Sequence, residues 1–144
     1  MEKTSKNIID QELIDEFISE FRENIQDAIN DILLFEKDAG DEESLHAIFR
    51  NFHTIKGNAA VVGFERISRL SHEAESLLDN IRDKTLTLNP QIIETLLRTA
   101  DVLTTLVDEV TGEATLDDGK WNDIIDSISR HMSSKSPSPA PPAT

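Results

Sequence analysis

Residues 45 to 64 read Leu45-His46-Ala47-Ile48-Phe49-Arg50-Asn51-Phe52-His53-Thr54-Ile55-Lys56-Gly57-Asn58-Ala59-Ala60-Val61-Val62-Gly63-Phe64. Leu45, Ile48, Phe49, Phe52, Ile55 and Ala59 recur at the three-and-four spacing that lines one face of a helix turning by about 100° per residue. Strict alternation, the mark of a half-buried strand, is missing. The segment opens at Asp41 or nearby, with acids in the first turn that suit the helix dipole, and ends around Val62-Gly63.

The same periodicity extends in both directions. Upstream, Ile14, Phe17, Ile18, Phe21, Ile25, Ala28, Ile29 and Ile32 form a stripe predicting a helix from about Asp10 to Lys37, stopped near Ala39-Gly40. Downstream, Ile67, Leu70, Ala74, Leu77, Leu78 and Ile81 mark a third helix. A fourth starts with Asn89 as N-cap and Pro90 in the first helical position, then carries apolar residues from Ile92 to Val110 and stops near Gly112. A shorter fifth segment has Trp121, Ile124, Ile125 and Ile128. Amphipathic helices on short connections bury their stripes best as an antiparallel bundle. The expected fold is therefore all-α: an up-and-down four-helix bundle with a fifth, C-terminal helix packed alongside. Residues 1–9 read as a flexible N-terminus, 10–132 as the bundle and 133–144 as a linker. Four of the five prolines fall in that last stretch, where no core can form. A linker at this end suggests the N-terminal piece of a longer protein.

Composition narrows the function. The 144 residues carry 28 acidic and 14 basic side chains, a formal charge of −14, which repels nucleic-acid phosphates and anionic lipid heads. Cysteine is absent, removing disulfides, thiolate metal sites and thiol catalysis. No apolar run is long enough to span a bilayer, and Met1 to Asp15 lacks the apolar core of a signal peptide. These features predict a soluble cytoplasmic protein with neither nucleic-acid binding nor membrane insertion, and nothing calls for an obligate dimer.

Chemistry concentrates on the second helix. His53 lies on the flank of the apolar stripe. Gly57 sits one turn further on, facing solvent, although a mid-helix glycine costs about 1 kcal/mol against alanine. Clearance for a group on the imidazole and for a docking partner would explain it. Lys56, three residues after His53, can reach the same patch and offset the charge of a phosphoryl group. A histidine near neutral pH offers one ring nitrogen as nucleophile while the other holds a proton. A carboxylate accepting that proton's hydrogen bond would fix the tautomer, and Glu75, on the flank of the third helix, is the candidate. A helical wheel puts His72 on the polar side of that helix.

His53-Thr54-Ile55-Lys56-Gly57, followed by small residues and Gly63-Phe64, is similar to the His-x-[Ile/Leu]-Lys-Gly signature of histidine-phosphotransfer domains. The longer form Phe49-Arg50-x-x-His53-Thr54-Ile55-Lys56-Gly57 resembles the N-terminal domains of CheA-type chemotaxis histidine kinases. His72 and Glu75 match that family's His-x-x-Glu spacing on the next helix. The resemblance covers roughly residues 10 to 130. It departs from the family at Asn58, where Gly-Gly-Ala often follows the lysine. It implies that His53 is phosphorylated, that Lys56 and His72 surround it, and that Glu75 accepts its proton's hydrogen bond. It further implies that a kinase catalytic domain binding ATP and magnesium supplies the phosphoryl group, and that an aspartate on a response-regulator receiver takes it. No Gly-rich phosphate loop, Walker motif or ATP lid stands in this sequence, so no cofactor is expected in the domain itself.

Other readings compete. A stand-alone phosphorelay carrier would share the same site, and an adaptor bundle would make Lys56 and Gly57 incidental. A metal-dependent hydrolase would need a carboxylate-rich interior, and two ligands such as His72 and Glu75 do not make a metal site. His46 and His131 are expected to face solvent, Arg50 to pair with a glutamate of its own helix, and Phe17, Phe21, Phe49, Phe52 and Trp121 to fill core stripes.

Overall fold

A computed structural model describes the backbone of residues 2–38 and 40–133 and the side chains from Gln11 onward within those ranges. Five α-helices follow one another: α1 (Glu2–Lys37), α2 (Glu42–Val62), α3 (Glu65–Arg82), α4 (Pro90–Thr111) and α5 (Asp118–Ser133). Among the described residues there is no strand.

The helix ends follow local chemistry. Asp41 caps α2 by accepting from the Glu43 and Ser44 amides at 3.1 and 3.4 Å. Asn89 caps α4 by accepting from the Ile92 amide at 2.9 Å, with Pro90 in the first turn. Gly63 and Gly112 close α2 and α4 in the left-handed region, at φ 83° and 81°, where a Cβ would strain the backbone. The start of α1 differs from the expected one: the helix begins at Glu2, upstream of Asp10. The stretch from Glu2 to Asp10 has no glycine or proline to stop a helix, so its start is not marked by the apolar stripe. The linker expected for 133–144 lies outside the described residues, apart from Ser133, which ends α5.

Packing closes a ring: α1 lies against α2 and α4, and α3 against α2 and α4, while α5 lies on the outside of α3 and α4. The stripes meet in one core that includes Phe21, Ile32, Phe52, Leu70, Leu77 and Leu103, each at most 1% exposed. Trp121 is only partly buried, with the Arg66 and Arg69 guanidiniums over its ring at 5.8 and 5.9 Å. Phe49 is likewise partly buried.

His131 corrects an expectation. It does not face solvent: half-buried between α4 and α5, its Nε2 lies 2.9 Å from Thr95 Oγ1. The reason is register, since His131 stands three residues after buried Ile128 and seven after buried Ile124, on the face that docks. No helix among the described residues is long and apolar enough to cross a membrane.

Candidate functional site

The site lies on the seam between the antiparallel helices α2 and α3. Seam contacts run in sequence along it: Ser68 Oγ donates to the Lys56 carbonyl at 3.2 Å, Glu75 meets His53 and Lys56, and Arg82 covers Phe49. Glu75 is carried inward by the α3 stripe, between Ala74 and Leu78, and is only 6% exposed. A carboxylate there must be paired, because burying an unpartnered charge is costly. Two α2 side chains supply the partners. Glu75 Oε2 lies 2.8 Å from His53 Nδ1, and Oε1 lies 2.7 Å from Lys56 Nζ. The lysine contact is a close ion pair, and among the described residues Oε1 has no other partner.

Burial pushes the Glu75 carboxyl up, but the Lys56 ammonium and the His53 ring together outweigh it and hold it below its ordinary value. Glu75 is therefore ionised at neutral pH. An ionised carboxylate has only acceptors, so Nδ1 carries the proton and donates it. This leaves Nε2 of the neutral ring with its lone pair. The His53 side chain is 61% exposed, and Nε2 has no hydrogen-bond partner among the described residues. The arrangement presents an oriented nitrogen nucleophile to solvent over a buried anion.

Gly57 stands one turn beyond His53 on the exposed face, and a Cβ placed there would meet nothing within 4 Å. Internal packing thus gives no reason for glycine. His53, Lys56 and Glu75 come together as one cluster. His72 is exposed and forms no hydrogen bond or ion pair among the described residues. Asn58, the departure from the signature, donates to Glu20 Oε2 of α1 at 3.2 Å and ties α2 to its other neighbour. Arg50 does not pair with a glutamate of its own helix: it is exposed, and its charge acts on Asp31 of α1. Among the described residues no group of three or more His, Cys, Asp or Glu side chains is placed to hold a metal ion.

Two features escaped the reading of the sequence. Lys56 and His53 share a single carboxylate, which three-residue spacing on α2 alone does not reveal. Phe49 stacks against the His53 ring, with centroids 6.2 Å apart and planes 8° from parallel, and carries the Arg82 guanidinium 4.7 Å from its own centroid. The four-residue step from Phe49 to His53 was a usable signal for the stack. Arg82, from another helix, had none.

The sequence model of the Hpt domain family matches residues 12–113. The chemotaxis protein CheA of Treponema pallidum is 32% identical over 102 residues, which are 71% of this chain and 13% of that protein. The solution structure of the histidine phosphotransfer domain of CheA superposes with a TM-score of 0.77 at 26% identity, covering 92% of this chain and 98% of that one. The phosphorylated P1 domain of CheA3, in a crystal structure with CheY6 from R. sphaeroides, shares the fold, with a TM-score of 0.69 at 21% identity over 83% of this chain and 98% of that one. The chain belongs to the Hpt, or histidine-phosphotransfer, domain family. It spans only 13 to 16% of the length of the curated chemotaxis relatives it matches.

Proposed function

We propose that this domain is the phosphotransfer part of a CheA-type chemotaxis histidine kinase in the cytoplasm, with His53 Nε2 as the atom that carries the phosphoryl group. ATP and magnesium belong to the separate kinase core. The Nε2 lone pair attacks the γ-phosphorus, the bond to the bridging oxygen breaks, and ADP leaves. The ring, still holding its Nδ1 proton, gains positive character, and the Glu75 carboxylate 2.8 Å away stabilises it. In the second step an aspartate oxygen of a receiver domain attacks the phosphorus and the Nε2–P bond breaks, returning the neutral imidazole. Charge and position do the chemistry in both steps. Lys56 holds Glu75 ionised, and Gly57 leaves room for a docking face. His72, exposed on the neighbouring helix, is assigned to the surroundings of the phosphoryl group by family likeness alone.

The observation that carries this reading is the tethering of Nδ1, which selects Nε2 and leaves it exposed. The CheA3 P1 domain in complex with CheY6 adds support for a receiver as the second partner. The test is incubation with magnesium, labelled ATP and a chemotaxis-type kinase core, with His53→Gln alongside. Acid-labile, alkali-stable label on the wild type alone, chased onto a receiver, is the expected result. Label on both proteins, or on neither with several cores tried, would overturn the proposal.

A further inference from the structure

Resting on the assignment of His53 as carrier, we infer that Arg82 is the cation that binds the phosphoryl group once it is on the ring. A phosphoryl group brings close to two negative charges to a chain whose formal charge is already −14. Some cation must answer it, and the seam offers few. Lys56 is held by Glu75, whose carboxylate is only 6% exposed. Withdrawing Lys56 would leave that buried charge with less compensation than it needs. Arg50 is exposed, and its charge already acts on Asp31 of α1.

Arg82 is differently placed. Its one carboxylate partner among the described residues is Asp79, three residues earlier on α3, and the two side chains are 46% and 48% exposed. Exposed pairs of this kind are screened by solvent and salt and are readily exchanged. Its other contact is the face of Phe49, a cation–π rest that competes weakly with a phosphate dianion. Phe49 in turn lies parallel to the His53 ring, so the guanidinium and the imidazole both rest against the same aromatic ring. A flexible side chain rotating off that ring brings a planar, two-pronged donor toward the phosphoryl oxygens, a geometry that suits arginine better than lysine. Phe49 is then the surface on which the arginine waits, and Asp79 the partner it gives up. Arg82 binds the phosphoryl group without taking part in bond making.

Phosphoramidate tests this without a kinase core, because it transfers its phosphoryl group to an imidazole nitrogen and releases ammonia. The titration of the phosphohistidine signal in the ³¹P spectrum reports the charge next to the phosphoryl group. A nearby cation favours the dianion, so Arg82→Gln should move the midpoint up by about half a pH unit. Arg82→Lys should recover part of that shift. Arg69→Gln, which removes the same charge from a site beside Trp121, should leave the midpoint in place. An unmoved midpoint in Arg82→Gln, or an equal shift in Arg69→Gln, would overturn the inference while leaving the carrier assignment intact. A phosphohistidine spectrum that loses no resonance in His53→Gln would overturn the carrier assignment and this inference with it, whereas residual signals from other exposed histidines such as His72 are separate from the titrated resonance.

Discussion

Glu75 organises the site, because one buried carboxylate fixes a tautomer on one oxygen and an ammonium on the other. Glu75→Gln removes the charge while keeping the shape. Phosphorylation of His53 by a kinase core should then fall on the order of ten- to a hundredfold, the usual cost of losing the group that orients a functional imidazole. A labelling time course checks this, and an unchanged rate would contradict the role. The pH behaviour follows from the direction of its shift. Because the folded carboxyl lies below its ordinary value of 4.5, its contribution to stability is complete above that value and is lost as pH falls through the lowered one. That His53 and Glu75 face one another across the seam was legible in the sequence, because each stands on the flank of a recognisable stripe. That Lys56 and His53 converge on one carboxylate was not legible, since it depends on how α3 is rotated against α2. Arg82 escaped for the same reason.

Helices were readable where a stripe and a stop signal coincide. Asp41, Gly63, Asn89 and Gly112 marked the ends of α2 and α4 because capping is local chemistry. The start of α1 carries no such signal, and the docked face of α5 was read one residue type short, with polar His131 left off an apolar stripe. Gly57 gives the sharpest prediction at this scale. Gly57→Ala should stabilise the domain by about 0.5–1 kcal/mol, since the Cβ enters open space and alanine favours the helix. The same change should slow phosphoryl transfer to a receiver. Urea unfolding and a chase assay measure the two, and a stabilised domain with undiminished transfer would make the glycine incidental. The α5 helix should respond to acid. Burial, and then the charge of Arg130, holds His131 below its ordinary value of 6.5. Folding therefore favours its neutral form, and stability falls as pH drops below that ordinary value. Trp121, the one tryptophan and a resident of α5, should report the loosening as a red shift in emission. That shift should disappear in His131→Gln.

At the scale of the molecule the core holds the seam in place. Phe52 is fully buried and stands one residue before His53, so Phe52→Ala should destabilise the bundle by about 3–5 kcal/mol. Thermal unfolding should show that loss together with reduced phosphorylation, because α2 can no longer keep its rotation against α3. The ring of four helices with α5 outside was anticipated from the stripes, while the exact order of neighbours needed the structure. Which nitrogen of His53 reacts decides the mechanism. Long-range ¹H–¹⁵N correlation on the phosphorylated chain distinguishes the two directly. The prediction is phosphorus on Nε2, with Nδ1 still protonated and hydrogen-bonded to Glu75. Phosphorus on Nδ1, or an unmodified His53 beside a phosphorylated residue elsewhere, would contradict it.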